Sequence, residues 1–199
     1  MSIHVPESFE TARLLIRAPQ PGDGPELNAA VRETFAELRP WMPWADHLPS
    51  VADSEHNIQE AWEAFQARTD LRLNLYLKET GAFVGGSGLH RIDWSVPKFE
   101  IGYWRRRGYE GRGLVTEAVL GIAGLAFNTL GAQRVEIRCD TRNERSRAVA
   151  LRAGFRLEGI HRRDSRAVNG EIRDTVVYAM LPEEYQALPV ATATGPSAG

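Results

Sequence analysis

The sequence predicts an α/β domain built around one mixed sheet, and three observations carry that reading. Leu71, Leu73, Leu75 and Leu77 alternate strictly, as do Val135, Ile137 and Cys139, which is the two-residue period of a half-buried strand. Leu27, Ala30, Val31, Thr34, Phe35 and Leu38 recur at three and four, the period of an amphipathic helix. A glycine-rich turn, GYEGRG at 108–113, joins a strand-like run to a long apolar helix. With 199 residues, 43% hydrophobic and 25% charged, the composition is that of an ordinary globular chain. One domain over residues 1–188 and a disordered tail of small and polar residues over 189–199 are expected.

The elements follow in order. Thr11 to Ala18 reads as a first strand with Leu14 and Ile16 on one face, and Pro21–Gly24 leads into the first helix. Leu38–Trp44, LRPWMPW, is a proline-broken aromatic loop. Ser50 with Asp53 forms a capping box for a second helix whose inner face is Ile58, Ala61, Trp62 and Phe65. Strands follow at 71–77, 83–89 and 99–105, the first two joined through Thr80-Gly81. A helix from Leu114 to Leu130 stops at Gly131, which suits a C-terminal cap. Gln133–Asp140 is a strand with Cys139 pointing to the core, and a short helix spans about 144–153 before Gly154. Asn169-Gly170 between two strand-like runs marks a final hairpin.

Composition excludes several classes of function. The single cysteine, Cys139, rules out an intramolecular disulfide framework and a cysteine zinc site. His4, His47, His56, His90 and His161 show no metal-ligand spacing, so no metal is expected. No apolar run reaches the roughly 20 residues a membrane span needs. The N-terminus lacks the basic-then-apolar pattern of a secretory signal, and a cytoplasmic protein is expected. Net charge is −2, divided as −5 over residues 1–98 (9 basic, 14 acidic) and +3 over 99–199 (15 basic, 12 acidic). That balance argues against nucleic-acid binding through Arg105–Arg107 or Arg162–Arg166. A local phosphate ligand remains open, because nearly all the cations are arginine, whose rigid fork grips phosphate.

The stretch 100–116, EIGYWRRRGYEGRGLVT, runs strand, glycine turn, helix start. Consecutive backbone N–H groups and the helix dipole make such a turn a site for pyrophosphate. Gly111 and Gly113 permit close approach, and Arg107 or Arg112 can supply charge. Neither a P-loop nor a complete dinucleotide-binding fingerprint is present.

Strand–GYEGRGLVTEA–helix, then VEIRCD, Asn143-Glu144-Arg145-Ser146 and Ala153-Gly154-Phe155, together resemble the GNAT superfamily of acyl-CoA-dependent N-acetyltransferases. LRPWMPW, EIGYW and NERSRAVALRAGFRLEG are similar to its ribosomal-protein N-terminal (RimJ/RimL-type) group. The resemblance covers roughly 9–182. It implies a single GNAT-like domain with a splayed central sheet and acetyl-CoA as cosubstrate. It also implies a turn motif Gln/Arg-x-x-Gly-x-Gly/Ala, here Glu110, Gly113 and Val115, whose first and last positions depart from the pattern. Gly108 through Thr116, including Glu110, Gly111, Arg112, Gly113, Leu114 and Val115, would then hold the pyrophosphate, with Arg107 beside them. Main-chain groups around Tyr103 and Arg105 would pair with the pantetheine arm, and Asn143, Ser146 and Arg152 would lie on the cofactor side.

The implied reaction is attack of a neutral amine on a thioester, most readily by a protein N-terminal α-amino group, whose pKa lies near 8 against about 10.4 for lysine. Many relatives use a tyrosine as thiolate acid where this chain has Ala150. Ser146 matches the serine the ribosomal group is thought to use instead, though it also suits a helix cap. Glu100 is the carboxylate expected as base, narrowly ahead of Asp164 beside Ser165, though it also suits an ion pair. Trp41 and Trp44 fit either the core or a groove for a peptide N-terminus. His90 reads as structural, with reach to an acceptor cleft as its other role. The acidic first half suits a cationic acceptor. A small-molecule amine (antibiotic, polyamine, amino-acid derivative), another acyl group, or a non-catalytic acyl-CoA-binding module are the competing readings. An exposed edge beside Asn169-Gly170 would support a homodimer.

Overall fold

The computed structural model describes residues 4–189; beyond residue 189, the tail expected from composition lies outside the described residues. The chain order is β1 (Ser8–Glu10), β2 (Leu14–Arg17), α1 (Gly24–Leu38), α2 (Val51–Ala67), β3 (Leu71–Leu77), β4 (Phe83–Asp93), β5 (Lys98–Arg105), α3 (Leu114–Gly124), β6 (Arg134–Asp140), α4 (Glu144–Arg152), β7 (Arg156–Arg166), β8 (Ile172–Met180) and α5 (Pro182–Gln186). The eight strands form one sheet in the order β1-β2-β3-β4-β5-β6-β8-β7. Every neighbouring pair is antiparallel except β5 and β6.

Alternation decides which helix each sheet face receives. Leu71, Leu73, Leu75, Leu89, Phe99, Ile101, Val135 and Ile137 point one way and form the main core with Ala118, Val119 and Ile122 of α3 and Val149 and Ala150 of α4. The opposite face carries Tyr76 and Phe83, which pack with Ala30 of α1. The sheet is thus covered by α3 and α4 on one side and α1 on the other, while α2 faces the α1 side through Asp53, Ser54 and Asn57 and reaches the main core through Phe65.

One feature of the pairing creates the site. β5 and β6 are joined only at Lys98–Arg134, Phe99–Val135 and Glu100–Glu136. Beyond Glu100, β5 stays bonded to β4 as far as Arg105, while β6 stays bonded to β8 as far as Asp140. The two strands therefore part into a fork. Arg106 N–H donates to Val84 O at 2.8 Å, so even-numbered residues of β5 bond toward β4. By the alternation of an antiparallel ladder, the main-chain groups of Ile101, Tyr103 and Arg105 face into the fork.

Several boundaries differ from the sequence expectation. The first strand is two, because Thr11 N–H donates to Leu14 O and Thr11 Oγ1 accepts from Leu14 N–H, closing a turn. The capping box at Ser50 and Asp53 is present. β4 runs on to Asp93 through an irregularity after His90, with Arg91 at φ +47°. The long helix widens to a π-helical turn over Leu125–Thr129 before Gly131 at φ +70°. Cys139 is half-buried rather than sealed in the core, since it lies where β6 has left β5. Asn169 and Gly170 sit in a three-residue loop closed by Ala167 N–H donating to Glu171 O.

Candidate active site

The turn after β5 is shaped by three glycines in the left-handed region: Gly108 at φ +84°, Gly111 at +69° and Gly113 at +73°. Gly113 is the N-cap of α3, and Glu117 N–H closes the first helical bond to its carbonyl at 3.0 Å. Leu114, Val115 and Thr116 therefore present N–H groups with no acceptor among the described residues, as the first turn of a helix must. Thr116 Oγ1 is buried there without a hydrogen-bond partner. Three open amides at the positive end of a helix dipole fit a pyrophosphate. The cradle is thus suited to the diphosphate of coenzyme A.

The charges around the turn are arranged in pairs. Glu110, an unfavourable neighbour for phosphate when read alone, is ion-paired to Arg105. Arg106 bridges to Glu33 at 2.8 Å and Arg107 to Glu37 at 2.5 Å, which fastens the turn to α1. The Arg107 guanidinium is thus directed at a helix, and Arg112 lies over the Tyr109 ring at 5.2 Å. Arg13 was not signalled by the sequence. Its Nη1 donates to Arg112 O at 2.9 Å and its Nε to Glu117 at 2.6 Å. A side chain 100 residues upstream therefore brings a cation to the cradle.

On the α3/α4 side of the fork, Asn143 Oδ1 caps α4 by accepting from Ser146 N–H at 3.1 Å. Tyr103 reaches from β5 and donates to Ser146 O at 2.9 Å, with Ser146 Oγ 3.0 Å from the same phenol oxygen. Burial raises the Tyr103 pKa, with the hydrogen bond to Ser146 opposing. Burial likewise raises the Cys139 thiol, with the neighbouring Ser146 side chain opposing. Tyr103, Cys139 and Ser146 thus form one polar cluster at the mouth of the fork. Arg152 is exposed in the last turn of α4.

On the opposite face lies a cleft of about 580 Å³ between α1, α2 and strands β3–β5. Trp44 and Trp104 line it, with ring centroids 6.0 Å apart. Trp41 is half-buried and outside the lining. His90 also lines the cleft, its Nδ1 2.7 Å from Asp70 Oδ2. Its ring rests on two glycines: a Cβ on Gly88 would meet His90 Cε1 at 3.0 Å, and one on Gly102 would meet Cδ2 at 3.1 Å. The imidazole can lie against β5 at the fork because neither position has a side chain.

Glu100 is directly opposite His90 in the register and closes the base of the fork. Arg91 Nε lies 3.2 Å from its carboxylate and Arg138 Nε 3.9 Å, while Oε2 is buried without a hydrogen bond. Burial raises the Glu100 pKa, and the two arginines oppose it. The structure brings Glu100 beside the cleft but not into its lining. Asp164 is bound to Arg138 at 3.1 Å, and Ser165 Oγ accepts from Arg173 at 2.9 Å.

Known proteins share this fold. A family model described as "Acetyltransferase (GNAT) domain" matches residues 13–156. A Bacillus subtilis (strain 168) protein named "Putative ribosomal N-acetyltransferase YdaF" is 35% identical over 175 residues, 87% of this chain and 93% of that protein. Among solved structures, the microcin C7 self-immunity acetyltransferase MccE in complex with acetyl-CoA and AMP superposes with a TM-score of 0.80 at 24% identity, over 86% of this chain and 93% of that one. RimL, a ribosomal L7/L12 alpha-N-protein acetyltransferase in complex with coenzyme A, gives 0.77 at 22% identity, over 90% and 98%.

Proposed function

The chain belongs to the GNAT acetyltransferase family and is an acetyl-CoA-dependent N-acetyltransferase; on that premise we propose that its acceptor is the free α-amino group of a protein N-terminus. The names of YdaF and RimL favour that class of acceptor over a small amine. The observation that carries the reading is the fork, where a cleft on one sheet face meets the Tyr103–Ser146 cluster on the other. An extended chain end can enter the cleft alongside the packed Trp44 and Trp104 rings and bring its amine to Gly102. The proposed cellular site is the cytoplasm, and the exposed β7 edge, with Leu157 and Ile160 uncovered, is the proposed contact for a second copy.

Acetyl-CoA supplies the acetyl group as an activated thioester. Leu114, Val115 and Thr116 hold the diphosphate through N–H groups, with Gly108, Gly111 and Gly113 giving the backbone its shape. Tyr103 and Arg105 main-chain groups hold the pantetheine arm along the open edge of β5, with Asn143 and Arg152 on the same side. In the transfer a C–N bond forms and the C–S bond breaks. His90 Nε2 takes the proton the amine must lose, while Asp70 holds Nδ1–H and fixes the ring. Glu100, the base expected from sequence, acts from the position opposite His90 on β5, where its charge favours the imidazolium. Ser146 Oγ–H protonates the departing thiolate and regains a proton from solvent, to which His90 releases the one it took.

The test presents acetyl-CoA and the purified protein with peptides bearing free or blocked N-termini, internal-lysine peptides, polyamines and aminoglycosides, read by mass. Acetylation of free N-termini alone supports the reading. Labelling confined to a small amine moves the acceptor to that class.

A further inference from the structure

Sequence alone gave the acceptor side an acidic character, yet its carboxylates are engaged. Glu33 and Glu37 hold Arg106 and Arg107. Glu55 accepts from the N–H groups of Gly22 and Gly24. Within the cleft lining, Asp53 is spent on the Ser50 capping box and Asp70 on His90.

Arg72 is different. It is the sole arginine or lysine among the cleft-lining residues. No carboxylate lies within ion-pair distance of it among the described residues, and its one hydrogen bond runs from Nη1 to Asn57 Oδ1 at 2.5 Å. The remaining guanidinium donors have no acceptor among the described residues. Burial lowers the Arg72 pKa, with the more distant Asp70 and Glu60 opposing. Arg72 is half-buried, and a guanidinium withdrawn from water is ordinarily paired, because desolvation without a counter-charge is costly.

Its place in the sheet shows what the missing partner would be attached to. Arg72 is in register with Gly88, and Gly88 with Gly102. Arg72, Gly88 and Gly102 thus form one row on the cleft face, ending at the fork. Two strand spacings, about 10 Å, separate the Arg72 and Gly102 backbones. An extended peptide advances about 3.3 Å per residue, so a chain with its amine at Gly102 brings its second or third side chain to the guanidinium.

We infer that Arg72 is a specificity determinant that receives a carboxylate on the second or third residue of the acceptor peptide. This rests on the N-terminal acceptor reading above, and the test separates the two. The first arm compares kcat/KM for peptide pairs carrying Asp or Asn, and Glu or Gln, at those positions. Wild type is expected to favour the acidic member about tenfold or more. The ratio should fall to about one in Arg72→Gln. It should also fall in Asn57→Asp, which keeps Arg72 but supplies it with a carboxylate partner. Acetyl-CoA affinity reports that both variants remain folded. The second arm needs no turnover: calorimetric titration of glutarate into the CoA-bound protein should show binding that weakens about tenfold in Arg72→Gln. Peptides acetylated without an acidic preference, a preference surviving in both variants, or glutarate binding indifferent to Arg72 overturns the inference while leaving the acceptor reading intact. Arg72-dependent glutarate binding with no peptide acetylated supports the anion site and rejects the peptide acceptor.

Discussion

Tyr103 and Ser146 meet across the fork: the phenol donates to the Ser146 carbonyl at 2.9 Å and sits 3.0 Å from its hydroxyl. A phenol has one proton, and the carbonyl takes it. The second contact is then Ser146 Oγ–H donating to the phenol oxygen, so Tyr103 fixes the serine hydroxyl, which has to turn from the phenol to serve a thiolate. Ser146→Ala is expected to lower kcat by about 10²-fold, within the range for one general acid, with acetyl-CoA affinity little changed. Tyr103→Phe should cost less, because Ser146 keeps its proton and loses only its orientation. Steady-state kinetics with separate cofactor titration reads both. Equal kcat for Ser146→Ala and wild type removes the acid role.

Gly113 holds a left-handed conformation at φ +73°, and an added Cβ would find no atom closer than Arg13 Nη2 at 3.6 Å. The space is free, so the damage from a substitution comes from backbone strain of about 1–2 kcal/mol and from what the side chain places in the cradle. Gly113→Asp should retain the fold and lose most acetyl-CoA affinity, since a carboxylate then occupies a site built for phosphate oxygens. Gly113→Ala should lose less. Calorimetric titration of coenzyme A separates them, and undiminished binding by the aspartate variant would falsify the placement of the diphosphate.

Glu117 fastens the N-terminal strands to α3. Its carboxylate accepts from Thr11 Oγ1 at 2.6 Å, Arg13 N–H at 2.7 Å and Arg13 Nε at 2.6 Å. Burial pushes its pKa up, but these donors outweigh burial and hold it below the ordinary value of 4.5. A pKa lower in the folded than the unfolded protein contributes stability above the unfolded value, lost as pH falls through the folded one. Glu117→Gln should therefore destabilise by about 2 kcal/mol near neutral pH. The gap to wild type should narrow as pH falls below 4.5. Urea unfolding across that range measures it, and a constant gap contradicts the charge argument.

Local signals carried much of this fold. The Ser50–Asp53 capping box, the alternating leucines of β3 and the glycine turn each depend on neighbours within a few residues, and each could be read directly. Ser146 was singled out by the family resemblance; the helix cap it also suited is supplied instead by Asn143, whose side chain accepts from Ser146 N–H. What escaped depends on register or distance. Arg13 and Glu117 stand 104 residues apart. The row Arg72–Gly88–Gly102 exists only once β3, β4 and β5 are aligned. The acidic half was misleading because formal charge says nothing of which carboxylates are spent on arginines and helix starts. Thr11 divided the first strand through a hydroxyl bond that periodicity does not reveal.

His90 is the last case, and its setting argues for a proton-accepting role over a structural one. Nδ1 meets Asp70 at 2.7 Å, no partner is found for Nε2 among the described residues, and the ring lines the open cleft. Asp70 fixes Nδ1–H and leaves Nε2 as acceptor, the tautomer a general base needs. His90→Gln keeps a polar side chain of similar reach but cannot take the proton, so kcat should drop by about 10²-fold. Asp70→Asn should drop it less, because the imidazole remains. The loss should shrink for acceptors whose amine has a lower pKa, since a larger fraction is already neutral. A plot of log kcat/KM against acceptor pKa for wild type and His90→Gln tests this directly. Parallel lines would assign the loss to damaged packing over Gly88 and Gly102, whereas lines converging at low pKa identify His90 as the base.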